Sequence, residues 1–145
     1  MNSCLVYFAK TNTCPIPDAE FFQLKDTDTR LYAKNKAAGV RILAGDLLFE
    51  IIEAPMNIAE QLLDHSSESE FWGEPEILFL MPTKAQSFQT WKLINVAPVD
   101  DFEQAVQTLR VLAEQSEQDP NQIPKILPRM LDLFQSKQPP AEKAA

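Results

Sequence analysis

Glycine, histidine and cysteine are all scarce in this sequence, and each shortage closes a route to function. Three glycines in 145 residues leave no glycine-rich loop to cradle a phosphate. The single histidine, His65, has no partner at ligand spacing, and the two cysteines, Cys4 and Cys14, are too few and too far apart for a zinc site, so no metal is expected. With no histidine beside an acidic orienter and no cysteine beside a base, a self-sufficient catalytic site is not expected either. Positive charge is short as well: 13 Lys and Arg against 21 acidic residues give −8, which repels a phosphate backbone and argues against nucleic acid as a partner. No apolar run approaches the roughly 18 to 20 residues that span a bilayer. Met1 to Lys10 lacks the form of a secretory leader, so a cytoplasmic location off the membrane is expected.

What is present is enough apolar sequence, 45%, for one domain core without disulfides. Cys4 to Ala9 is a short apolar run and predicts a buried first strand. Asp18 is placed to cap a helix through Leu24, which the run Asp26-Thr27-Asp28-Thr29 is expected to leave short or irregular. Gly39 to Leu43 and Leu47 to Ile52 flank a glycine turn and predict a tight hairpin. A second helix follows, with Asn57 and Glu60 in a capping arrangement and an end near His65. Glu76 to Met81 and Trp91 to Val96 supply two further strands.

The order β-α-β-β-α-β-β predicts an α+β, ferredoxin-like sheet with two helices on one face. The other face then needs a cover. Phe102, Ala105, Val106, Leu109 and Leu112 form one helical stripe, and Ile126, Leu127, Met130, Leu131 and Phe134 a second, shortened by Pro124 and Pro128. These two C-terminal helices are expected on that second face or at an oligomer surface. The division is residues 1–97 for the sheet domain, 98–137 for the helical extension and 138–145 for a disordered tail.

From Leu5 to Val96 the sequence resembles the BLUF family, the flavin-dependent blue-light sensors of bacteria. The resemblance rests on Tyr7 in the first-strand run LVYFA, on Asn35 shortly before Gly39 and Val40, and on the strand Phe49-Glu50-Ile51-Ile52-Glu53-Ala54. Phe88 three residues before Trp91 completes it. It implies a flavin held between the two helices, with a tyrosine as electron and proton donor and a glutamine as hydrogen-bond switch. The positions so implied for FAD are Tyr7, Asn35, Glu50, His65 and Trp91.

The departures concentrate on that site. Glu50 stands where the switch glutamine belongs, and an ionised carboxylate accepts hydrogen bonds without donating any. Lys34 replaces a second asparagine, Arg41-Ile42 replaces a threonine-glycine pair, and Ser69-Glu70-Phe71-Trp72 replaces a charged cluster. The expectation is therefore a BLUF-like signalling module with degraded or absent flavin binding and a protein partner, a homo-oligomer included. A working FAD photoreceptor using Tyr7 and Glu50 is the alternative, and a small enzyme on the same sheet the third reading.

Several residues keep two roles at this level. Tyr7 is a donor or a core aromatic, Trp91 and Trp72 stack on a ligand or fill the core, and Asn35 holds a ring edge or caps a helix. His65 is expected on the carbonyls that end its own helix. Glu50 pairs with Arg41 or Lys34, or faces solvent, and Glu53, three residues on, points to the opposite face.

Overall fold

The computed structural model describes residues 2–12 and 15–135, so Cys14 and the tail expected from residue 138 lie outside it. Along the chain run β1 (Asn2–Lys10), α1 (Asp18–Lys34), β2 (Ala38–Ala44), β3 (Leu47–Pro55), α2 (Met56–Ser67), β4 (Glu76–Thr83), β5 (Trp91–Val96), α3 (Phe102–Gln118) and α4 (Ile123–Gln135). The strands form one sheet in the order β4-β1-β3-β2-β5. All neighbours are antiparallel except β2 and β5. The fold is the α+β ferredoxin-like arrangement read from the sequence.

The hairpin turns where a left-handed residue is available. Gly45 takes φ +66°, and a Cβ there would stand 2.7 Å from the Pro98 ring. The β1, β2 and β3 strands are buried along nearly their whole length, as strands covered on both faces must be. Successive side chains of β1 alternate between two layers: Leu5, Tyr7 and Ala9 face α1 and α2, whereas Cys4, Val6 and Phe8 face α3 and α4. The second layer takes in both predicted stripes, with Val106, Leu109, Leu112, Ile126, Met130 and Phe134 buried against Phe49 and Ile42. The C-terminal helices thus cover the sheet face that the first two leave open.

Three local expectations change. The α1 helix is neither short nor irregular: it runs unbroken for 17 residues, through the Asp26–Thr29 segment. Intrinsic propensity is a weak force that tertiary partners override, and the partner here is Arg41, which bonds Asp28. The residues flanking α1 and α2 at their starts are Pro17 and Pro55, with no side-chain cap from Asp18 or Asn57. Pro128 lies inside α4 without ending it, and Pro124 falls in the first turn, where a missing N–H costs nothing. Among the described residues, no helix is long and apolar enough to cross a membrane.

Candidate functional site

Strand register builds the centre of the site. Tyr7 of β1 pairs with Glu50 of β3, and Glu50 pairs with Arg41 of β2, so three polar side chains stand in a row on one sheet face. Beside them, Gly39 pairs with Trp91 of β5. The strands can close there because position 39 is glycine: its φ is +141°, and a Cβ would stand 1.9 Å from the Ile51 carbonyl oxygen.

Glu50 is fully buried and is met by four donors. The Tyr7 hydroxyl and Arg41 Nε (3.3 Å) reach Oε1, while the Tyr32 hydroxyl (2.8 Å) and Trp91 Nε1 (2.9 Å) reach Oε2. Four donors are the full complement of a carboxylate's lone-pair sites. An amide would turn an NH2 group toward two of these donors and break the set.

Arg41 is the second hub, also without solvent exposure. Its Nη1 bonds Asp28 Oδ2 at 2.6 Å, and its Nη2 bonds the hydroxyls of Tyr32 and Ser66, both at 3.1 Å. The guanidinium carbon lies 4.9 Å from the Trp91 ring centre, 5.1 Å from that of Trp72 and 5.7 Å from that of Tyr32, within cation–π range of all three. Tyr32 and Trp91 are themselves stacked at 4.2 Å. Trp72 is anchored by its Nε1, which donates to the Ser66 carbonyl at 2.9 Å. Among the described residues, no buried side-chain nitrogen or oxygen lacks a hydrogen-bond partner.

Burial and the Glu50 carboxylate push the phenols of Tyr7 and Tyr32 well above their ordinary value, although Arg41 pulls the other way. Burial opposes the Arg41 charge, but Glu50 foremost, then the two tyrosines and Asp28, more than offset it and raise the guanidinium above its ordinary range.

Of the residues expected at the site, Tyr7, Glu50 and Trp91 come together. His65 stands at the rim, half-exposed, with Nε2 3.0 Å from Asp28 Oδ1; the expected contact with its own helix end is replaced by one across to α1. Asn35 is elsewhere: it is the C-cap of α1, and its Nδ2 donates to the Leu31 carbonyl. Glu53 lies on the opposite face, as expected, where it accepts from the backbone N–H groups of Ser87 and Phe88. Phe88 packs in the α3–α4 layer while Trp91 packs beneath α1, so the motif they form is split between the two faces.

Sequence reasoning missed Asp28, Tyr32 and Ser66. A signal was there, because Leu24, Asp28 and Tyr32 share one helical face at i, i+4 spacing. The run around Asp28 reads as poor helix and hid it.

Outside this buried set, a cleft of about 610 Å³ opens between α1 and the end of α2, and Asp28, His65, Ser66 and Trp72 form part of its wall. Its rim adds the carboxylates of Glu20, Glu68 and Glu70. Tyr7, Glu50 and Arg41 do cluster, but all three lack solvent exposure, which withholds them from any substrate in this conformation.

No protein-family model matches the sequence, and no curated protein matches it. Solved structures do share its fold. A structure described as the photo-activated state of BlsA matches with a TM-score of 0.60 at 19% identity, over 75% of this chain and 79% of that one. The dark-state structure of BlrB, a BLUF protein, matches at 0.59 and 17%, over 87% and 94%. A bacterial light-regulated adenylyl cyclase matches at 0.60 and 17% over 86% of this chain, which spans only 36% of that protein. Such identities speak for architecture, and on that ground the chain has the fold of the BLUF proteins.

Proposed function

We propose that this chain is a BLUF-like regulatory module that signals through protein contacts without a bound flavin. One observation carries the reading: Arg41, paired with Glu50, fills the space between the sheet and the two helices where the resemblance implies a flavin ring. The groups that would serve the ring are engaged with one another. Tyr7 and Trp91 both donate to Glu50, and Glu50 has no acceptor site to spare. The cleft beside the site is edged by Glu20, Glu68 and Glu70, a charge that disfavours a phosphate-bearing ligand there. His65, in the position implied for cofactor binding, is engaged by Asp28, and Asn35 caps its helix.

Signalling then passes through surfaces, to a protein partner or a second copy of the chain. Ile77 on the edge strand β4 and Val111 on α3 are apolar and about half exposed, the sort of contact area such a partner would cover. The test is the absorption spectrum of the freshly purified protein, before and after incubation with FAD. We expect a colourless protein that takes up none. A flavin band that shifts to the red under blue light would overturn the reading and favour the photoreceptor alternative.

A further inference from the structure

Arg41 is held the way a protein holds a small planar ligand. Its edge makes four hydrogen bonds, to Glu50, Asp28, Tyr32 and Ser66, and its faces lie against tryptophan rings. These partners come from every layer around it: Glu50 from β3, Asp28 and Tyr32 from α1, Ser66 from α2 and Trp72 from the loop beyond. In α1, Asp28 and Tyr32 are the two buried residues of its 17, and Phe21, Leu24 and Leu31 pack on the core only in part. A helix whose other apolar residues are only partly buried draws much of its hold on the sheet from the two that reach inside. Asp28, Ser66 and Trp72 also belong to the wall of the outer cleft, so the cage and the cleft share a boundary.

We infer that the cage is a guanidinium-binding site that the chain fills with its own Arg41, and that this tethered cation clamps α1 and α2 to the sheet. The inference rests on the flavin-free reading above, since ring and guanidinium compete for one space. Two carboxylates and three aromatic rings select a planar cation. Truncating Arg41 at its Cβ leaves those groups facing a void that continues into the cleft, open to a free ion.

The experiment is chemical rescue. Thermal unfolding of Arg41→Ala is followed with millimolar guanidinium chloride, and with sodium chloride and urea at equal concentration. The variant is expected to lose Tm and to regain it saturably with guanidinium alone, as linkage requires of an ion that binds only the folded state. The parent protein, its site already filled, should gain nothing. Arg41→Lys keeps the charge but not the planar fork, and should be less stable than the parent and unresponsive. If Arg41→Ala does not fold unaided, it should refold from urea with guanidinium present and fail with sodium.

Equal effects of guanidinium on variant and parent, a gain matched by sodium chloride, or failure to refold in both salts would each overturn the inference. A flavin band in the parent would sink the proposed function, and the clamp with it. A colourless parent with no rescue would sink the clamp alone.

Discussion

Beneath α3 and α4 the central strands meet an apolar layer in which Phe49 stacks on Phe134 at 5.2 Å and Leu109 and Met130 are wholly buried. Beneath α1 and α2 the same strands present Tyr7, Glu50 and Arg41, joined to Asp28, Tyr32, Ser66 and Trp91 by hydrogen bonds and ion pairs. The two layers differ in what they tolerate. Apolar packing is non-directional and rewards any side chain of the right volume, so its loss is graded. A buried polar network is stable only when every member has its partner, because each group left over keeps the full cost of its desolvation. One layer specifies a volume and the other specifies particular atoms.

Alkali should expose the contrast most strongly. Tyr7 and Tyr32, the chain's only tyrosines, both have phenols raised above the ordinary 10.0 in the folded state. Above pH 10 the unfolded chain therefore holds fewer protons than the native one, so stability is intact below that point and falls as pH climbs through and beyond it. Phenolate absorbance should appear together with loss of the fold. Phenolate forming gradually near pH 10 in a protein that stays folded would break the contrast.

A smaller effect is expected from Glu50→Gln, which keeps the shape and removes the charge. Arg41 retains Asp28, so the cost should be about 3 kcal/mol, the low end for breaking a buried pair. Urea unfolding measures it, and a neutral or stabilising result would mean that the network does not depend on the carboxylate. The smallest effect belongs to the other face. Leu109→Met, also close in volume, should cost under about 1.5 kcal/mol in the same assay. If it cost as much as Glu50→Gln, the two layers would be equally exacting.

Much of the architecture was legible because periodicity and turn chemistry are local. Trp91 to Val96 is a strand with the bounds read from the sequence, the Gly45 hairpin closes where expected, and both C-terminal stripes are buried. The site was legible only in part. The resemblance named Tyr7, Glu50 and Trp91, which come together, and Asn35, which takes the other role the sequence left open, as the cap of α1. The sequence left Glu50 open to Arg41, to Lys34 or to solvent; its partner is Arg41, nine residues away in the chain and directly opposite across a strand boundary. Asp28 was discounted because its neighbours disfavour helix, and the force that holds it helical comes from a strand it does not adjoin in sequence.

By itself the sequence determined the order of strands and helices and the two apolar stripes of the C-terminal helices, because alternation, helical spacing and glycine turns act over a few residues. The tertiary structure alone decided that the space beside Tyr7 holds a guanidinium and that Asp28, within α1, is a residue that meets it. Pairing energies between Arg41, Glu50 and Asp28 exist only once register and helix placement bring them within hydrogen-bond distance.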